Sequence, residues 1–140
     1  MTGTTSSLVG ELSHLEAIDL SFNKLAGTIP EEFAKCTNLQ AIVMEGVVSE
    51  SAEQKMSGTI PSWSGELKEL RHVWLDEEAF TGTIPSEIGL LTNLMSFCAH
   101  VNQLTGSIPT EVGLLTDLWE FVVEKNCMDC ESDPTGLTPN

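Results

Sequence analysis

A short phrase built around glycine comes round five times in this chain. It reads TGTTS from Thr2, AGTIP from Ala26, SGTIP from Ser57, TGTIP from Thr81 and TGSIP from Thr105. Its glycines, Gly3, Gly27, Gly58, Gly82 and Gly106, follow one another at steps of 24, 31, 24 and 24 residues. A unit this short cannot bury an apolar face alone. Successive units must therefore stack, and the chain is constrained to a coil of repeats. In such a coil, function is spread over equivalent positions of neighbouring turns.

The apolar residues before each glycine keep the same step. The first full turn has Leu15, Ile18, Leu20, Asn23 and Leu25; the later ones offer Leu39, Ile42, Met44 and Met56, then Leu70, Val73, Leu75 and Phe80. Next come Leu94, Phe97, Ala99, Asn102 and Leu104, and finally Leu118, Phe121, Val123 and Asn126. Alternation at Ile18/Leu20 and Val73/Leu75 predicts a short strand with one buried face. Stacked strands stand about 4.8 Å apart. Cys36 falls in a slot held elsewhere by Leu12, Leu67, Leu91 and Leu115, so it is expected in the core. The asparagines are expected to hydrogen-bond backbone where each turn leaves its strand, with that ladder broken at Glu78 and lost in the second turn.

The pattern L-x-x-L-x-L-x-x-N-x-L, continued by L-[TSA]-G-[TS]-I-P, resembles the plant-type leucine-rich repeat family of receptor-like kinases, receptor-like proteins and polygalacturonase-inhibiting proteins. The near copies EIGLLTNL from Glu87 and EVGLLTDL from Glu111 strengthen the likeness, and are similar to repeats of diatoms and other algae. The resemblance implies an α/β solenoid, a right-handed superhelix with a parallel sheet on its concave face and irregular or 3-10 turns on its convex face. We read residues 1–126 as about five turns, with an insertion near 45–55, and 127–140 as a C-terminal cap or its remnant. The family's Cys-bearing caps imply a disulfide role for Cys127 and Cys130. A redox pair would need a surrounding βαβ pattern, which is missing, and a zinc site further ligands.

Twenty-one acidic residues face six basic ones, a net charge of −15. That balance argues against nucleic acid and against anionic membrane surfaces. No apolar stretch reaches the 18 residues that a span requires. Without a signal sequence after Met1, the chain reads as a piece of a longer protein, with a short cytoplasmic protein as the alternative. The family implies an extracellular or cell-surface ectodomain whose partner is a protein or peptide, or a polysaccharide. No cofactor and no metal is expected.

Alternate strand residues form columns on the concave face. The central column runs Asp19, Val43, Trp74, Cys98, Val122; Arg71 and Trp119 lie in a flanking one. An acidic edge comes from Glu45, Asp76, Glu77 and Glu124, with His100 in the same column as Asp76. An aromatic anchor beside charge is the build of a protein-binding hot spot, so Val43, Arg71, Trp74, Asp76, Cys98, His100, Trp119, Val122 and Glu124 are the expected binding residues. Cys98 is expected to face solvent.

Two alternatives compete with recognition. Cys98, His100 and Asp76 contain the ingredients of an activated nucleophile in a hydrolase, but residues two apart on a strand stand about 6.5 Å apart. On the flank, Thr4, Thr28, Thr59, Thr83 and Ser107 form one row, and Thr2, Ala26, Ser57, Thr81 and Thr105 another. Such rows resemble the flat faces of ice-binding solenoids.

Overall fold

Each repeat makes one circuit with two short strands and one tight turn. The computed structural model describes residues 2–3, 5–47 and 54–128; Thr4, most of the insertion and Cys130 lie outside them. The strands are β1 (Thr2–Gly3), β2 (Ala17–Asp19), β3 (Lys24–Leu25), β4 (Ala41–Val43), β5 (Ser57–Thr59), β6 (His72–Trp74), β7 (Ala79–Gly82), β8 (Ser96–Cys98), β9 (Gln103–Gly106), β10 (Glu120–Val122) and β11 (Cys127–Met128).

A five-stranded parallel sheet in the order β2-β4-β6-β8-β10 forms the concave face. Its register aligns Ala17, Ala41, His72, Ser96 and Glu120, and likewise Asp19, Val43, Trp74, Cys98 and Val122. The inward residues of the three middle strands (Ile42, Val73, Phe97) are buried in a continuous core with Phe33, Leu70 and Phe80, and Ile18 and Phe121 of the outer two pack against it half-buried. A second parallel sheet, β5-β7-β9-β11, runs along the flank, and a bridge between Gly27 and Met56 ties it to β3, which pairs with β1. Through β11 the flank ladder reaches Cys127 and Met128, two residues into the segment we read as a cap. Cys127 is disulfide-bonded.

The convex side is built from five-residue 3-10 turns at Ser7–Glu11, Glu31–Lys35, Ser62–Glu66, Ser86–Leu90 and Thr110–Leu114. Four of them start after an extended proline, Pro30, Pro61, Pro85 or Pro109, whose ring fixes φ near the value found. The helical half of the expected α/β class is thus supplied by 3-10 turns alone among the described residues. A circuit of 24 residues already holding two strands leaves no length for an α-helix.

The flank explains the glycine phrase. Gly82 sits at φ +74, left-handed backbone that L side chains enter at a cost, and a Cβ there would stand 2.9 Å from the Thr59 Cγ2 methyl. The same contact recurs one turn on, between Gly106 and Thr83. Thr81 and Thr105 donate their hydroxyls to the carbonyls of Gly58 and Gly82 at 3.2 and 3.3 Å. The threonines before Gly82 and Gly106 therefore bond the turn below. The threonines after Gly27, Gly58 and Gly82 carry the methyls that pack under the next glycine.

The asparagine ladder is present, and it continues through Glu78, where the sequence suggested a break. The Asn102 amide donates to Leu75 O at 2.7 Å, and its oxygen accepts from Phe80 N at 2.9 Å; Asn126 repeats this with Ala99 O and Leu104 N. Glu78 keeps half of that role. Its Oε2 accepts from Met56 N at 2.7 Å, at the same step of 22 residues, with the residue 9% exposed. A carboxylate can accept but not donate, so the ladder is modified at Glu78 rather than broken.

One turn has slipped its packing. Val9, Phe33 and Ile88 are the buried residues of their 3-10 turns, yet Ser64 occupies that position in the third turn. Trp63, one residue earlier, packs against the core instead, and an apolar void of about 20 Å³ remains beside Ser64, Ile60 and Ile88.

Candidate functional site on the concave sheet

Side chains on the outer face of the concave sheet are placed by strands whose other face is pinned in the core. That makes their relative positions rigid. The register brings Val43, Trp74, Cys98 and Val122 into one column, as the repeat step requires. Val43 and Val122 are half-buried, Arg71 and Glu124 exposed, and Trp119 is 64% exposed.

Trp74 does not stand free in this column. Its indole N–H donates to Ser96 Oγ at 2.6 Å, and the Ser96 hydroxyl donates to Glu120 Oε2 at 2.8 Å. The chain of bonds crosses β6, β8 and β10 and fixes the indole against the sheet, with His72 edge-on at 5.9 Å. Ser96 is fully buried by this arrangement. Sequence reading missed it because a lone serine in an outward column carries no signal; only Glu120 at the same register and Trp74 two residues further along the neighbouring strand could have revealed it.

Cys98 departs from the expectation of a solvent-facing thiol. It is 8% exposed, with Ser96 Oγ 3.8 Å from its sulfur. Burial pushes the thiol up to about 11, with the charges of Asp76 and Glu120 adding to the rise. Its column neighbours are Trp74, tethered to Ser96, on one side and Val122 on the other.

His100 and Asp76 do meet, on adjacent strands as the columns foresee. His100 Nδ1 lies 2.6 Å from Asp76 Oδ1, which also accepts from His100 N at 2.8 Å. Glu77 Oε1 is 3.9 Å from His100 Nε2. A hydrolase needs the thiol as thiolate, favoured by a depressed pKa. Cys98 is held the opposite way, buried with its thiol pushed up, which disfavours the thiolate that such a trio needs. Among the described residues no group of His, Cys, Asp and Glu has the geometry to hold a metal ion.

At the strand exits, Phe22, Glu77, Val101 and Lys125 all adopt left-handed backbone, with φ between 53 and 60. Phe22 is 71% exposed there. Together with Glu45, Gly46, Asp76, Glu77 and His100 it lines a pocket of about 190 Å³ at the acidic edge. Burial, followed by the charges of Asp76, Asp19 and Glu77, raises the Glu45 carboxyl above its ordinary value, while His100 opposes the rise.

A leucine-rich repeat family model matches residues 14–36. Among solved structures, the plant peptide hormone receptor RGFR1 in complex with RGF2 shares 32% identity at a TM-score of 0.83, over 91% of this chain and 19% of that one. The leucine-rich repeat ectodomain of the receptor kinase SOBIR1 from Arabidopsis thaliana shares 26% at a TM-score of 0.80, over 91% of this chain and 67% of that one. A plant ice-binding protein shares 26% at a TM-score of 0.77, over 91% and 39%. No curated protein matches the chain. The chain is a leucine-rich repeat solenoid, similar in structure to plant receptor ectodomains. It spans about a fifth of the length of RGFR1.

Proposed function

We propose that the concave sheet is a non-catalytic recognition surface for a peptide or protein, part of a receptor-like or inhibitor-like protein whose repeats face the extracellular side. The carrying observation is the contrast in the two outer surfaces: the flank rows are almost all Thr and Ser, whereas the column Asp19, Val43, Trp74, Cys98, Val122 mixes charge, aliphatic, aromatic and thiol, with exposed Trp119 beside it. Aromatic anchors surrounded by charge supply most of the binding energy at protein interfaces. RGFR1, solved with RGF2, is a neighbour that binds a peptide hormone, which supports the same use here. No described helix is long and apolar enough to cross a membrane.

The test is a selection of phage-displayed peptides on the immobilised protein. Selected peptides should lose about 2 kcal/mol of affinity on Trp119→Ala. They should lose association rate on Glu124→Lys. Thr83→Ala, on the flank, should leave them unchanged. Peptides indifferent to both concave substitutions in folded protein would overturn the reading.

The flank supports a second reading, an ice-binding face. Thr28, Thr59 and Thr83 are exposed in one row and Thr81 and Thr105 in the next, and a plant ice-binding protein is among the structural neighbours. Recrystallisation inhibition that disappears with Thr59→Val and Thr83→Val, and survives Trp119→Ala, would favour it. No inhibition by the unsubstituted protein would end it.

A further inference from the structure

The pocket at the acidic edge has a glycine, Gly46, in its lining. Along the strand exits the column runs Phe22, Gly46, Glu77, Val101, Lys125. Gly46 is buried, and a Cβ there would fall on the Glu77 carbonyl oxygen, so that position can carry no side chain. Phe22 and Glu77 then stand two strands apart, about 9.6 Å at the usual spacing, with backbone as the floor between them. With the surrounding carboxylates they line a volume of about 190 Å³, room for one small planar group.

The walls state which group. On one side is the exposed face of Phe22, 71% accessible. On the other are carboxylates at different stages of commitment. Asp76 is occupied by His100 through its ring nitrogen and backbone N–H. The Glu45 side chain has no hydrogen-bond partner among the described residues, and Glu77 Oε1 has only the 3.9 Å approach of His100 Nε2. The pocket therefore offers an aromatic face and two carboxylates, in a chain of net charge −15. A hydrated ammonium would use the charge but not the ring and the slot shape. A guanidinium is flat, stacks on aromatic faces and pairs its N–H groups with carboxylate oxygens.

We propose that this pocket receives the guanidinium of an arginine side chain presented by a peptide lying on the concave face. The proposal rests on the recognition reading above and names the chemistry of its partner: a peptide with an arginine at the end that meets the strand exits of the first three turns. The arginine stacks on Phe22 and donates to Glu45 and Glu77, while Asp76 holds His100 as the far wall.

The test uses no natural partner. Isotope-labelled protein is titrated with N-acetyl-arginine amide and, in parallel, with its neutral citrulline counterpart, following the backbone amides by NMR. Saturable shifts confined to Phe22, Gly46, Glu77 and His100 are expected for arginine, weak as befits a single residue. Citrulline should produce none. Glu45→Gln and Phe22→Ala should each weaken the arginine response about tenfold, with spectra otherwise unchanged. Equal response to citrulline, shifts scattered over the acidic surface, or Glu45→Gln titrating like the unsubstituted protein would overturn the assignment. Because the probe is a free amino-acid amide, its failure removes the arginine while the peptide selection decides separately whether the concave face binds at all.

Discussion

The flank sheet and the concave sheet are built from the same strands' worth of chain, yet they use their outward residues in opposite ways. On the flank, a threonine methyl meets a left-handed glycine of the next turn, and a threonine hydroxyl meets a glycine carbonyl, turn after turn. Those positions are constrained because each is a packing contact between neighbours. On the concave face the outward columns meet no next layer, and they carry Val, Trp, Cys, Asp, Glu and His in turn. Stacking is held by the uniform surface, which leaves the other one open to differ.

The sharpest way to break that comparison is a single methyl on the flank. Gly82→Ala forces an L residue into φ +74 and places its Cβ 2.9 Å from Thr59 Cγ2. The left-handed backbone costs about 1–2 kcal/mol and the crowding a comparable amount, for an expected loss of about 2–3 kcal/mol in urea denaturation. Trp119→Ala, which removes a far larger but exposed side chain, should stay within about 0.5 kcal/mol. Equal losses would mean that the concave residues hold the stack as much as the flank does.

A second effect of similar size concerns reactivity. With its thiol raised from 9.0 to about 11, Cys98 has a thiolate fraction about 100-fold below that of an ordinary cysteine at the same pH. Native Cys98 and the fully buried Cys36 should both resist alkylation and label only on unfolding. Rapid labelling of Cys98 in folded protein would show that Trp74 does not cover this part of the concave face.

Smaller again is the strain at the strand exits. Val101 is β-branched and sits at φ 53, where Asn is far better tolerated. Val101→Asn should raise stability by about 1 kcal/mol at constant denaturant slope. Loss of stability would indicate that the half-buried Val101 side chain packs for more than its backbone costs.

The repeat step made most of the fold readable before any coordinates. Period-two alternation fixed which residues of each strand turn inward, and one alignment set the register of five strands, so the concave columns followed directly. What stayed hidden depends on contacts between unlike residues of different turns. Ser96 becomes a hub only because Trp74 and Glu120 flank it, and Cys98 is buried for the same reason. The slip from Ser64 to Trp63 looks like an ordinary repeat in the sequence, since both residues follow Pro61 at plausible positions. Glu78 reads as a lost asparagine, yet its carboxylate accepts the same backbone N–H. The pocket was missed because glycine at position 46 registers as an empty column rather than as a space.

Glu45 offers the finest test of the contrast, because only a varied surface would keep a group that works against folding. Burial and the charges of Asp76, Asp19 and Glu77 hold its carboxyl above the ordinary 4.5 in the folded chain. A folded-state value above the unfolded one means the folded protein prefers the protonated form. The group's favourable contribution is therefore complete below pH 4.5 and is lost as pH rises through the raised value. At pH 7 the charged Glu45 should destabilise the protein relative to Glu45→Gln, which has the same shape without the charge. The variant should accordingly unfold at a higher temperature at pH 7, and its advantage should shrink on acidification and vanish below pH 4.5. An advantage for Glu45→Gln that persists unchanged at low pH would mean that packing, not charge, separates the two side chains.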